Sequence, residues 1–206
     1  SSSSSSPLPA PPIWVYKICD HTEKYGLAYR LSTGQTGCYF NDRTKIVWDH
    51  NATNRAEYYT DRNKMELVRM AQDTSEDTKK QKLIRFFKHY FDVGGKPDAK
   101  EQVVRCSPYL YKSPPSASAA RNMTFVTRFV QAPTAIGFEF NNNAEGLIQV
   151  CFTKDNTEIF IDKVNSVVTF TNRQGHRKSM TVSAVKSERG SEIAEKMSLA
   201  EQMMSK

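Results

Sequence analysis

The chain has 206 residues, a formal charge of +7, 38% hydrophobic and 25% charged residues, enough apolar material for one large core or two small ones. No apolar run approaches the roughly 20 residues that cross a bilayer, so a membrane partner is not expected. Residues 1–100 hold 16 Lys and Arg against 12 Asp and Glu, and residues 101–206 hold 13 against 10, so the excess is +4 and +3. That even spread excludes a dedicated basic tail and leaves nucleic-acid binding without a motif to carry it.

Residues 1–12, SSSSSSPLPAPP, lack the basic start and apolar stretch of a signal peptide and read as a flexible linker. In AYRLSTGQTGCYF, two runs of period two flank the turn STGQTG, which predicts a hairpin. KIVWD and EYYTDR continue as strands, and MELVRM is a further short alternation. TSEDTKKQKLIRFFKHYFDVGG predicts a helix capped within Thr74–Asp77 and ended by Gly94 and Gly95. Leu83, Ile84, Phe87 and Phe91 recur at helical spacing and face the sheet, while Lys82, Arg85, Lys88 and His89 form a solvated side. Residues 96–121 are rich in Pro and Ser and read as a linker, within which VVRCSPYLY is apolar enough to pack.

The second half then repeats the first. CFTKDNTEIFID (Cys151–Asp162) answers CYFNDRTKIVWD (Cys38–Asp49), AIGFEF answers GLAYRL, and VTFTNR answers EYYTDR. MTVSAV stands in the place of MELVRM, and SEIAEKMSLAEQMM closes the copy as a helix with Ile193, Met197, Ala200 and Met204 on one stripe. A period of about 110 residues is too long for a solenoid and marks a duplicated domain. The fold class expected is α+β, two units over residues 13–95 and 122–206. Each is a roughly six-stranded antiparallel sheet with one helix. Such units cover each other's open faces, and a groove between them is a natural site for an extended peptide.

Four cysteines, Cys19, Cys38, Cys106 and Cys151, lie far apart with no C-x-x-C pair, which predicts buried reduced thiols and a cytosolic setting. Trp14 and Trp48 are expected in cores. Four scattered histidines and the lack of a Gly-rich phosphate loop, H-R-D or D-F-G leave no catalytic, metal or cofactor site to assign.

The stretch WVYKICDHTEKYGLAYRLSTGQTGCYFNDRTKIV resembles the first polo box of the polo-like serine/threonine kinases. The resemblance is carried by Trp14, Val15, Lys17, Asp20, Lys24, Tyr25, Gly26, Leu27, Tyr29, Leu31, Phe40, Asn41, Asp42 and Thr44. The second copy is similar to the second polo box through its strand pattern and Asp-x-Thr, so the resemblance spans residues 13–206. The family has a helical segment ahead of the first box, where this sequence has its Ser/Pro stretch. The resemblance implies the non-catalytic docking and targeting half of a kinase. Its partners would be proteins or peptides, including its own kinase domain. Its setting would be cytoplasmic, at cytoskeletal, centrosomal or basal-body-like structures in cell division.

The family docks Ser-phosphothreonine motifs with a His-x-Lys pincer and a Trp over the flanking Ser. In this sequence those positions fall on Asn156, Glu158 and Ile18. A phosphate wants cationic donors, and Glu158 offers the opposite charge. The expectation is docking without the phosphothreonine pincer, with Lys154 and Lys163 as the nearest substitute cations. The plainer reading places Asn156 and Glu158 in ordinary turn and surface chemistry at a strand start. An alternative function is a scaffold that self-associates or binds the kinase domain with no peptide groove in use.

Overall fold

The computed structural model describes residues 7–50, 54–70, 72, 75–93, 103–106, 123–141 and 144–206. It contains two antiparallel sheets in two compact units, one over Ile13–Thr127 with 141–143, the other over Arg128–Phe140 and Ala144–Lys206 together with residues 7–12.

In the first unit, β1 (Val15–His21), β2 (Gly26–Leu31), β3 (Thr36–Phe40), β4 (Lys45–Asp49), β5 (Arg55–Tyr59) and β6 (Met65–Arg69) form a meander, each strand beside the next. A short seventh strand, β7 (Val103–Arg105), adds to the free edge of β1. It comes from VVRCSPYLY, so part of the expected linker extends the sheet, and the first sheet has seven strands rather than six. Register sorts the strands by period two. Cys19, Ala28 and Cys38 fall on one face with Ile46, Trp48 and Ala56, and α1 (Lys79–Val93) lies on it through Ile84, Phe87 and Phe91. Burying each of these phenylalanines stabilises the unit by about 1.5–3 kcal/mol.

The cap of α1 sits later than the sequence suggested. The Thr78 amide donates to Gln81 Oε1 at 2.7 Å, and the Gln81 amide donates to Thr78 Oγ1 at 3.3 Å. This is a capping box, and it displaces Asp77, whose carboxylate instead meets Arg85 Nε at 2.5 Å. Arg85 also lies over the Trp48 ring, so the expected solvated face is partly used in packing. The expected cap at Thr74 and stop at Gly94 and Gly95 lie outside the described residues.

The second unit repeats the meander with β8 (Val126–Ala132), β9 (Ala135–Phe140), β10 (Leu147–Phe152), β11 (Thr157–Asp162), β12 (Val167–Thr171) and β13 (Arg177–Thr181). MTVSAV does not form a strand of its own. Met180 and Thr181 end β13, and Thr181 Oγ1 accepts from the Ala184 amide at 3.2 Å to start α2 (Val182–Ser187). The unit therefore has two helices, because a threonine acceptor placed before V-S-A turns an apolar alternation into a helix start. Ser191 caps α3 (Glu192–Met204), which buries Met197, Ala200 and Met204 as its stripe predicted. Gly137 leaves room for that seat, since a methyl there would press on Met204 Sδ.

All four cysteines are buried and free. Trp48 is in the first core, whereas Trp14 is only partly buried, with its amide on Ser32 Oγ at 3.2 Å. Among the described residues, no helix is long and apolar enough to cross a membrane.

Candidate functional site

The repeated Asp-x-Thr is a turn that doubles as a helix anchor. In the first unit Asp42 Oδ1 accepts from the Thr44 amide and hydroxyl at 3.1 and 2.5 Å. In the second, Asp155 Oδ1 accepts from the Thr157 amide and hydroxyl at 3.2 and 2.7 Å. The residue between has positive φ in both, 67° at Arg43 and 53° at Asn156. Each aspartate then takes a lysine from the helix that closes its unit, Lys80 at 2.7 Å and Lys196 at 2.5 Å. Each lysine also stands over an aromatic ring from the preceding strand, Phe40 and Phe152. Burial alone would raise both carboxyls, but the hydrogen bonds from the lysine and the threonine outweigh it and hold them below the ordinary aspartate range. The sequence singled out Asp-x-Thr and not the lysines. The signal was there, Lys80 beside Lys79 and Lys82 in the first turns of α1 and Lys196 alone in α3.

This turn fixes the positions that the resemblance marked. Asn156 is exposed in the left-handed region, a conformation that asparagine tolerates. Its amide side chain offers a neutral donor where the family has a cationic one. Glu158 is not the surface residue that its strand-start position suggested. It is fully buried, and its Oε2 accepts from Gln149 Nε2 at 3.1 Å and from Cys151 Sγ at 3.3 Å. The carboxylate is thus engaged inside the unit, beside Cys151 on β10 and Thr171 on β12. Lys154 shares the turn with Asn156 and is exposed. Lys163 lies beyond the far end of β11, seven residues and roughly 23 Å of extended chain away, and cannot substitute at Asn156.

Ile18 pairs with Tyr29 on β2 and Val104 on β7, on the sheet face opposite α1, and is buried. The same face carries Glu57, fully buried, which the sequence reading did not mark. Its Oε2 accepts from the Tyr59 hydroxyl at 2.5 Å and the Met123 amide at 3.1 Å, and Arg55 meets its other oxygen at 2.7 Å. Met123 and Phe125 pack there on Val47 and Tyr59, with the Tyr59 and Phe125 rings stacked at 3.9 Å. The Tyr29 hydroxyl accepts from the Val126 amide at 3.0 Å, and its pKa is pushed far up by burial. Residues 123–126 are thereby clamped across the face at three points.

Comparison with known proteins places this architecture. A family model described as the POLO box duplicated region matches residues 23–82 and 133–197. The chain is 29% identical over 176 residues to a probable serine/threonine-protein kinase CCRP1 of Zea mays, covering 79% of this chain and 24% of that protein. It is 24% identical over 164 residues to the serine/threonine-protein kinase PLK1 of Xenopus tropicalis, covering 80% and 25%. The chain thus spans about a quarter of the length of these relatives. Among solved structures it is similar to the polo-box domain of budding yeast Cdc5 in complex with an Spc72 phosphopeptide. There the TM-score is 0.65 at 20% identity, over 94% of this chain and 70% of the other. The complex of the Cdc5 domain with the Dbf4 polo-interacting region gives 0.66 at 21% identity, over 96% and 73%.

Proposed function

The chain belongs to the polo-box family, a non-catalytic region, and from that premise we propose that it docks protein partners for a polo-like serine/threonine kinase without a phosphothreonine pincer. The observation that carries the reading is Glu158, a buried carboxylate already bound by Gln149 and Cys151 where the family presents a lysine. Asn156 beside it contributes one neutral amide, and a neutral hydrogen bond to phosphate is about half as strong as a charge-assisted one. Ile18 brings an aliphatic side chain to the position of the family's indole. Of the three positions only Asn156 is exposed and none offers a cation, which suits an unphosphorylated segment.

The Cdc5 complexes with a phosphopeptide and with a polo-interacting region support docking of short partner segments as the work of this fold. In the parent protein, the docked partner would carry the kinase to structures of the dividing cell. The test is the distribution of the fluorescently tagged chain in dividing cells, with the fluorescent tag alone as the control for diffuse label. Discrete label at division structures is expected, and diffuse label from a folded chain would refute the targeting role.

A further inference from the structure

The repeat makes the two units comparable position by position, and one place differs in a way that the docking role above does not use. Counting from the anchoring lysines, Phe86, Phe87 and Tyr90 of α1 correspond to Gln202, Met203 and Lys206 of the second unit. His21, at the end of β1, corresponds to Ala132, at the end of β8. In the first unit these positions fill the space between hairpin and helix with rings. The His21 ring lies 5.3 Å from Phe87 and 6.2 Å from Phe86, and Phe86 lies 5.1 Å from Tyr90. In the second unit the rings are gone, and the space is an open cleft of about 440 Å³ between α3 and the β8–β9 and β10–β11 turns.

Its floor is apolar, made by Ala135, Phe152, Leu199 and Met203. Leu199 is 53% exposed on a helix whose neighbouring stripe is buried. The rim is basic. Lys196 is held by Asp155, which is the only carboxylate among the lining side chains, whereas Lys154 and Lys206 are exposed with no acidic partner in the described residues. A cavity of this size takes one or two large side chains, and charge around the mouth selects what flanks them.

We propose that this cleft on the helix side of the second unit is a docking site for an acidic peptide carrying a large apolar anchor, which inserts on Phe152, Leu199 and Met203 while its carboxylates meet Lys154 and Lys206. Ile18, Asn156 and Glu158 are not among its lining residues, although Lys154 shares the turn of Asn156, and binding there does not depend on phosphate.

The probe is a short synthetic peptide of Asp and Glu with one central Phe and no Ser or Thr, titrated into the whole chain while the Ala, Leu and Met methyl resonances are followed. Controls replace the Phe by Ala or the acidic residues by Lys. Saturable shifts at Ala132, Ala135, Leu199 and Met203, absent with either control, are the expected result. Leu199→Glu adds a carboxylate at the anchor, and Lys154→Glu reverses the rim; each is expected to weaken binding by at least ~10-fold. Both residues are exposed, and the methyl spectrum itself reports whether a variant has kept its fold. If one variant loses it, the other carries the test. No shifts at millimolar peptide, shifts centred elsewhere, or binding indifferent to both variants would overturn the proposal. Because the probe carries no phosphorylatable residue, its failure leaves the pincer question of the preceding section untouched.

Discussion

Replacing Asp155 by asparagine, and separately by alanine, dissects the anchor that the repeat builds twice. Asparagine keeps an acceptor for the Thr157 amide and hydroxyl but loses the ion pair with Lys196, whose partners are only 16% and 19% exposed. A pair so shielded is worth more than the ~0–1 kcal/mol of a surface bridge, so the cost is about 1–2 kcal/mol. Alanine also removes the two turn hydrogen bonds, at ~0.5–1.5 kcal/mol each, for a total of about 2–4 kcal/mol. The first-unit counterpart is the internal control. Asp42 is 56% exposed, so Asp42→Asn should cost about 0.5 kcal/mol or less. Urea unfolding at neutral pH measures all three, and a double-mutant cycle with Lys196→Met isolates the pair. The Asp155 carboxyl is held below its ordinary value of 3.8, so its contribution is present at neutral pH and disappears as pH falls from about 4 through the lowered pKa. Asp155→Asn should therefore flatten the acid limb of the stability profile. Equal costs at Asp42 and Asp155, or no coupling between Asp155 and Lys196, would refute the anchor.

Three further substitutions probe the rest of the framework by the same unfolding assay. Glu57→Leu leaves the Tyr59 hydroxyl and the Met123 amide unpaired in a dry site and releases Arg55, itself 37% exposed, and a loss of about 2–5 kcal/mol is expected; a loss under ~1 kcal/mol would show that Glu57 is not the clamp. Tyr29→Phe removes only the acceptor for the Val126 amide and should cost about 1–3 kcal/mol, with faster hydrogen exchange at that amide. Gly137→Ala brings a methyl against the flexible ends of the α3 methionines, which can give way, so it should cost about 1 kcal/mol or less, with methyl shifts at Met203 and Met204.

Much of this architecture was legible in the chain because period-two runs, turn residues and a duplicated motif all agree. The stripes on α1 and α3 were readable for the same reason, since Phe87 and Met197 recur with their neighbours at helical spacing. What escaped the reading depends on through-space partners. β7 is a three-residue strand whose pairing is decided by the free edge of β1, not by its own propensity. The start of α2 hangs on one threonine hydroxyl within an apolar alternation. Glu57 and Glu158 look like surface carboxylates in sequence, yet both are fully buried because their donors arrive from other segments. The cleft beside α3 is visible only by comparing the two units in space, where missing rings become a volume.

The most direct test of the central claim is a calorimetric titration of the chain with paired peptides, Ser-Thr and Ser-phosphothreonine, at moderate salt. With Glu158 buried and Asn156 neutral, the account predicts affinities for the two members within about threefold of each other, a difference of ~0.7 kcal/mol. A preference for the phosphorylated peptide of ~10-fold or more, abolished by Asn156→Ala or Glu158→Gln, would contradict it and place a working phosphate site where the structure shows a turn and an occupied carboxylate.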